Sequence, residues 1–521
     1  MLFNSFQFIF FFLPLTLLGF HWIGKLGHQQ ACFAWLTGAS LIFYGWWNPA
    51  YLGLILFSIL FNYGVGIFLV NIPRSINKKL VLAFGVTTNL GLLGYFKYAS
   101  FFITNFNMLA GTELNLYKII LPLAISFFTF QQIAYLVDVY HGETKETNFL
   151  HYCLFVAFFP QLIAGPIVHH KEMLSQFARV TLYRLRTEHL AVGFTIFAIG
   201  LFKKVVLADG IAIVATEVFA GAENNIPVTF FEAWGGALAY SFQLYFDFSG
   251  YSDMAIGVAR MFGIRLPLNF NSPFKATSII EFWRRWHITL SRFLHAYLYI
   301  PLGGNRRGEF RRFLSLMLTM LLGGLWHGAG WTFVLWGGLH GFYLVINHGW
   351  RKIYGSRKKS KLGAIIAWVT TMLAVVFAWV PFRAESIDSA TKLLSSMAGI
   401  NGISLPKSMA RMFDTTMPSL TEYIFVFEGM FPHNIFGHND PRIGLVWLIV
   451  LFCITSFSPN TQQIMYAYYP ALNAIKVGVL KLRYQWMGWR PTVLWGILVA
   501  GIFVFSVLSL NKKSEFLYFQ F

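Results

Sequence analysis

Charge is what this sequence has least of. Only 12% of its 521 residues are Asp, Glu, Lys or Arg, about half the share that a soluble domain carries. Water is therefore not the solvent around most of the chain, and lipid takes its place. Cysteine is scarce as well. Cys32, Cys153 and Cys453 are odd in number, far apart, and set in or at the edge of apolar runs. That argues against a disulfide framework and a metal site and predicts buried thiols. The chain has no G-x-x-x-x-G-K-[ST] loop, G-x-S-x-G elbow or H-E-x-x-H helix, so nucleotide hydrolysis, serine hydrolysis and zinc catalysis lack support. No Lys or Arg precedes the first apolar run, about residues 6–23, and no small-residue cleavage site follows it. The run reads as a retained first span rather than a signal peptide.

Apolar residues, by contrast, make up 56% of the chain and aromatics 19%, with 57 phenylalanines, a composition suited to lipid contact and interfacial belts. Runs of roughly 17–25 residues, long enough to cross a bilayer, fall near 6–23, 31–47, 51–70, 80–97, 119–139, 150–167, 189–212, 232–262, 363–382, 442–458 and 492–510. Stretches near 99–110, 280–300 and 313–346 are interrupted or short. The predicted fold is an all-α integral membrane protein. It has about eleven spanning helices plus short or re-entrant pieces, in one membrane domain over residues 1–521.

The net charge of +19 does not point to nucleic acid. Its cations cluster in short loops, around Arg74–Lys79, Lys171–Arg186, Arg306–Arg312 and Arg351–Lys361, which is the positive-inside pattern and predicts a cytoplasmic side for those loops. Residues 384–440 hold Glu385, Asp388, Asp414, Glu422, Glu428 and Asp440 with few cations. That segment is the predicted periplasmic excursion.

Three segments place polar residues inside apolar sequence. Tyr245–Asp253 contains Asp247, Ser249 and Asp253; carboxylates at membrane depth need partners or water, either an ion pair with an arginine such as Arg284 or Arg285 or a role in an active site. Glu281–Arg292 alternates Trp, Arg and His. That pattern suits an amphipathic helix at an interface, with Trp283, His287 and Ser291 four residues apart on one face. Gly323–Trp331 sets His327 between Trp326 and the Gly328-Ala329-Gly330 break, and His340 follows. Broken backbone at membrane depth is tolerated only under cover of protein or water, so two half-helices are expected to meet at His327, walled by tryptophans. Imidazole titrates near neutrality and carries protons, whereas a histidine in an apolar segment also serves as a satisfied core residue. The pair His169-His170, on a loop beside Lys171, reads as solvated.

Taken in order, these segments resemble the membrane-bound O-acyltransferase superfamily, and within it the bacterial alginate O-acetyltransferase membrane subunits. The resemblance runs through Met1–Ser5, Pro160–Ile167, Gly200–Lys204, Tyr245–Asp253, Pro267–Phe270, Phe282–Ser291, Tyr297–Arg306, Leu325–Gly328 and Trp379–Ala384. It implies a catalytic histidine at His327 and a second polar position at His287. Trp326, Asp247, Ser249, Asp253, Asn305, Arg306, Trp283 and His340 are candidates for the donor or acceptor pocket. One departure stands out: His295-Ala296 occupies the place where relatives usually carry Arg-Asp, which leaves acceptor and partner specificity open.

The implied reaction moves an acetyl group from a cytoplasmic thioester, acetyl-CoA or another acyl donor, toward a cell-surface or exported polysaccharide. His327 would be the base, and His287 would orient the acceptor or donate to the oxyanion. Arg306 and Arg307 would attract the donor's phosphates or serve only as topology signals. The resemblance adds a bacterial inner-membrane location, lipids as surroundings, an SGNH-hydrolase-like periplasmic acetyltransferase as partner, and no permanently bound cofactor. Alginate is the first choice of polymer, with cellulose and peptidoglycan open. A lipid-modifying acyltransferase of the same superfamily and, further off, a transporter are the alternatives.

Overall fold

The computed structural model describes residues 1–521 except 74–75, 116–118, 145–147, 178–185, 307, 356–359, 406–424, 427–440, 473–484, 511–516 and 518–521. Most of 384–440, including Asp414, Glu422, Glu428 and Asp440, and also Arg307, therefore lie outside the described residues. The helices are α1 (Leu13–Lys25), α2 (Gln29–Gly45), α3 (Leu52–Asn71), α4 (Lys78–Leu93), α5 (Ala99–Ala110), α6 (Ile125–Tyr140), α7 (Phe149–Ala157), α8 (Phe159–Leu162), α9 (His170–Phe177), α10 (Thr187–Phe202), α11 (Asp209–Glu223) and α12 (Phe230–Met261). They continue with α13 (Ile279–Trp283), α14 (Ile288–Leu294), α15 (Gly308–His327), α16 (Trp331–Tyr354), α17 (Lys361–Arg383), α18 (Ile387–Met397), α19 (Pro441–Phe457), α20 (Thr461–Ile464) and α21 (Val493–Leu508). The sheet among the described residues is one parallel pair of two-residue strands, Ile403–Ser404 and Phe425–Val426.

Each of the eleven predicted apolar runs overlaps helix, although the run at 119–139 becomes helical only from Ile125, and other differences have local causes. Residues 78–110 form one continuous 33-residue helical segment. The run at 150–167 breaks at Phe158, whose ψ of 108° is not helical, just ahead of Pro160, which sits in the first turn of α8, where a proline's missing N–H costs least. Five segments among the described residues are long and apolar enough to cross a membrane: Phe8–Lys25, Pro49–Asn71, Lys78–Ala110, Thr187–Glu223 and Lys361–Arg383. Lipid contact is legible on the helical segment Phe8–Lys25, where Phe11, Leu15, Leu18 and Trp22 are 65–73% exposed at the spacing of one helical face.

The chain divides into two compact units. Unit 1 comprises 1–202, 250–269 and 461–510. Here α10 meets the last turns of α12 through glycines. A Cβ on Gly193 would stand 2.6 Å from the Gly257 carbonyl oxygen, and one on Gly200 would stand 2.7 Å from that of Gly250. Small residues seven apart thus let the two backbones touch, the usual device of membrane helices. The opening residues are core: the Met1 amino group donates to the Phe43 carbonyl at 3.0 Å, and Phe3 stacks on Tyr251 at 4.8 Å. His170, read from sequence as solvated, is buried and paired with Asp138 at 3.1 Å, because it opens α9 instead of sitting in a loop.

Unit 2 comprises 203–249, 270–460 and 511–521. Its centre is the hairpin of α15 and α16. The sequence break at Gly328–Gly330 is where the chain turns, but both arms are longer than their apolar cores, 20 and 24 residues, because Arg311, Arg312, His348 and Arg351 extend them. Gly324 lies against the Phe333 carbonyl and Gly337 against that of Met320, each too close to admit a Cβ. Three buried charges in this unit form one cluster: Lys204 contacts Asp209 and Asp247 at 2.8 Å each, and all three are nearly inaccessible. Asp247 is thus satisfied by Lys204, not by Arg284 or Arg285. Cys32 and Cys153 are buried as expected, but Cys453 is exposed, since it lies on an outward face of the apolar helix α19.

Candidate active site

His327 is the last residue of α15. The chain leaves it through a tight turn in which the Gly330 N–H donates to the Gly328 carbonyl at 3.0 Å, and Gly330 then opens α16 without a side-chain cap. Such a turn needs small residues, and a Cβ on Gly328 would strike the Phe333 ring. His327 is half-buried inside a cage of rings. Trp326, Trp336 and Phe382 pack on it at centroid distances of 4.9, 5.1 and 5.2 Å. His287 stands 6.4 Å away.

His287 is reached by a different route from the one its spacing predicts. Helix α13 ends at Trp283, a turn follows, and His287 itself takes a left-handed conformation, φ 41° and ψ 53°, before α14 begins. Trp283, His287 and Ser291 therefore do not share a continuous helical face. The turn is braced by the Asn271 N–H donating to the Arg285 carbonyl at 2.9 Å and by Arg285 donating back to the Asn271 carbonyl at 3.2 Å. A left-handed L-residue costs roughly 1–2 kcal/mol, and such strain concentrates at functional positions. Packing holds the ring in place: Phe248 meets it edge-on at 4.7 Å and Phe270 lies 6.4 Å away, leaving it 1% exposed. The segment is not an amphipathic surface helix either, because Trp283 and Trp286 are buried.

His340 is fully buried one layer behind. Its Nδ1 accepts from the Trp283 indole N–H at 3.3 Å, so in the neutral ring the proton sits on Nε2. Trp336 lies between it and His327, at 4.9 Å from the one ring and 5.1 Å from the other. The Trp336 indole N–H and His340 Nε2 are buried with no protein partner among the described residues.

The structure thus brings together His327, His287, Trp326, Trp283 and His340, and adds Trp336, Phe382, Phe248 and Phe270. The other predicted pocket residues make different contacts. Asp247 is held by Lys204 and by the Leu517 N–H at 3.4 Å. Ser249 is buried, and its hydroxyl has no partner among the described residues. Asp253, in unit 1, accepts from the Thr461 hydroxyl at 2.6 Å. Asn305, which accepts from the Tyr299 hydroxyl at 2.6 Å, and Arg306 are exposed. Trp331, expected as a wall, is 58% exposed. The Phe382 contact spans 55 positions of sequence; its only early signal was the Trp379–Ala384 string.

An imidazole half-open to ligand, ringed by aromatics and beside a second imidazole, can take a proton from a hydroxyl and exclude water while doing so.

A family model described as MBOAT, membrane-bound O-acyltransferase family, matches residues 144–382, a span that contains the whole cage. The chain is 42% identical to the peptidoglycan O-acetyltransferase of Helicobacter pylori, over 100% of this chain and 98% of that one. It is 37% identical to the “Probable alginate O-acetylase AlgI” of Pseudomonas aeruginosa, over 100% of both chains. A more distant relative is the teichoic acid D-alanyltransferase of Streptococcus thermophilus, 30% identical over 46% of this chain and 61% of that one.

Proposed function

Because this chain belongs to the membrane-bound O-acyltransferase family, it is a membrane-embedded O-acyltransferase, and we propose that it transfers acetyl from a thioester donor to glycan hydroxyls of the cell envelope, with His327 as the base. The observation that carries the reading is the cage: one half-open imidazole ending α15, walled by Trp326, Trp336 and Phe382, with His287 at 6.4 Å.

In this reading His327 removes the acceptor's hydroxyl proton as the oxygen attacks the thioester carbonyl. The tetrahedral oxyanion collapses, the carbon–sulfur bond breaks, and the thiolate leaves with the proton that His327 holds. His287 donates to the oxyanion or orients the acceptor, and His340, reached through Trp336, positions the cage. Acetyl-CoA is the donor of choice. Among polymers, peptidoglycan comes ahead of alginate, favoured by the higher identity over the whole chain, 42% to a peptidoglycan O-acetyltransferase against 37% to an alginate O-acetylase. The protein works in the bacterial inner membrane with an SGNH-hydrolase-like periplasmic partner that completes transfer.

The test is to express wild type and His327→Ala at equal membrane levels in a strain lacking the native gene. Ester-linked acetate is then measured on each isolated envelope polymer. Wild type restores acetate to one polymer, and His327→Ala restores under 1% of it, the loss expected when a general base worth about 10²–10⁴-fold is removed. Full restoration by His327→Ala refutes the assignment.

A further inference from the structure

Beyond the cage, basic side chains of α15, α16 and the turn after α13 converge, and among the described residues no carboxylate pairs with them. Arg312 contacts the His348 ring nitrogen through its guanidinium at 2.6 Å. Arg351 and Arg284 act electrostatically on the same imidazole, and Arg351 also donates to the Ser278 hydroxyl at 3.3 Å. The nearby carboxylates are engaged elsewhere. Glu309 pairs with Lys352 at 2.6 Å and Glu281 with Arg285 at 2.8 Å. Burial alone would raise the Glu281 carboxyl's pKa, but the Thr277 N–H and Arg285 outweigh it and hold it below the usual carboxylate range. Within the cluster, Arg312 Nε and Asn347 Oδ1 are buried with no partner among the described residues. Three guanidiniums around one half-buried imidazole repel one another, and a multiply charged oxyanion relieves that repulsion while supplying acceptors for the spare donors.

We propose that Arg284, Arg312, His348 and Arg351 form a phosphate site that anchors the phosphorylated end of a pantetheine-borne thioester. The assignment rests on the reading of His327 as the transfer centre. Arg312 and His327 lie fifteen residues apart on α15, about 22 Å along its axis. A pantetheine arm of about twelve bonds reaches about 14 Å when extended, and the phosphate and arginine side chain cover the rest. The anchor is thus set about one arm's length from the imidazole that needs the thioester. It replaces Arg306, which lies on an exposed loop, as the donor's electrostatic contact.

Direct binding tests this. Full-length protein in zwitterionic nanodiscs is titrated calorimetrically with coenzyme A, comparing wild type, Arg312→Gln/Arg351→Gln and the exposed-site variant Arg284→Gln, whose replacement disturbs no packing. The double variant is expected to bind coenzyme A at least about tenfold more weakly and with a flatter salt dependence, and Arg284→Gln to weaken it in the same direction. Equal affinity in all three proteins overturns the site, as does absence of coenzyme A binding to wild type. A third outcome assigns the cluster to a lipid headgroup and also overturns the proposal: anionic phospholipid co-purifying with wild type and lost from the double variant, with coenzyme A affinity unchanged. The same titration on His327→Ala needs no turnover. A failed base assignment therefore shows in the acetate assay alone, and a failed phosphate site in the titration alone.

Discussion

Replacing His287 separates the role of its imidazole from the cost of its backbone. The left-handed conformation at φ 41° penalises most L-residues by roughly 1–2 kcal/mol, but asparagine visits it readily. His287→Asn therefore keeps or slightly eases the corner while shrinking the ring. His287→Ala keeps the strain and empties a space lined by Phe248 and Phe270, at a cost of about 2–4 kcal/mol by analogy with other buried truncations. The order of thermal stability in detergent should be wild type, then Asn, then Ala. Rates should keep that order but with a much wider gap. If His287 donates a hydrogen bond to the oxyanion, Ala loses about 10²–10³-fold in kcat, and Asn, whose amide donates, recovers a good part of it. The assay is steady-state acetyl transfer by purified protein, with kcat and KM determined for both variants after matching folded fractions by size-exclusion chromatography. Two results refute the reasoning: His287→Ala within threefold of wild type in kcat, or His287→Asn less stable than His287→Ala.

Lys204→Met leaves the buried carboxylates of Asp209 and Asp247 facing each other without a cation. It should destabilise by about 3–5 kcal/mol, with most of the loss recovered in Lys204→Met/Asp209→Asn/Asp247→Asn; denaturation midpoints of the three proteins check both halves. Gly337→Val drives a branched side chain into the Met320 carbonyl, backbone that does not yield. It should cost at least 1–3 kcal/mol and abolish acetate incorporation, while the same change at Gly349, where nothing lies within 4 Å of a Cβ, leaves incorporation within twofold.

Helical architecture and the break at His327 were legible because both are local. Long apolar runs specify spanning helices, and glycines on either side of one histidine specify a turn. Trp326, the neighbour of His327 in sequence, was legible for the same reason. What the sequence hid is tertiary. Spacing placed His287 on a helical face with Trp283 and Ser291, but the corner that ends α13 is imposed by Asn271 and Arg285, fourteen positions apart. The arginines that the sequence offers to Asp247, Arg284 and Arg285, lie 37 and 38 residues downstream, whereas its partner is Lys204, 43 residues upstream. His170 looked solvated beside Lys171, yet it finds Asp138 on another helix. A charged or polar residue in an apolar chain announces that a partner exists, and only the fold says which.

The touching backbones of α15 and α16 make length a constrained quantity. Where a carbonyl abuts a glycine Cα, neither helix can slide or be padded. One inserted residue between Arg312 and His327 turns one end about 100° against the other. A seven-residue insertion restores the face but separates the ends by a further ~10 Å. Loops elsewhere in this chain can lengthen with little thermodynamic consequence, but this hairpin tolerates substitution along its outer surface and no change of count.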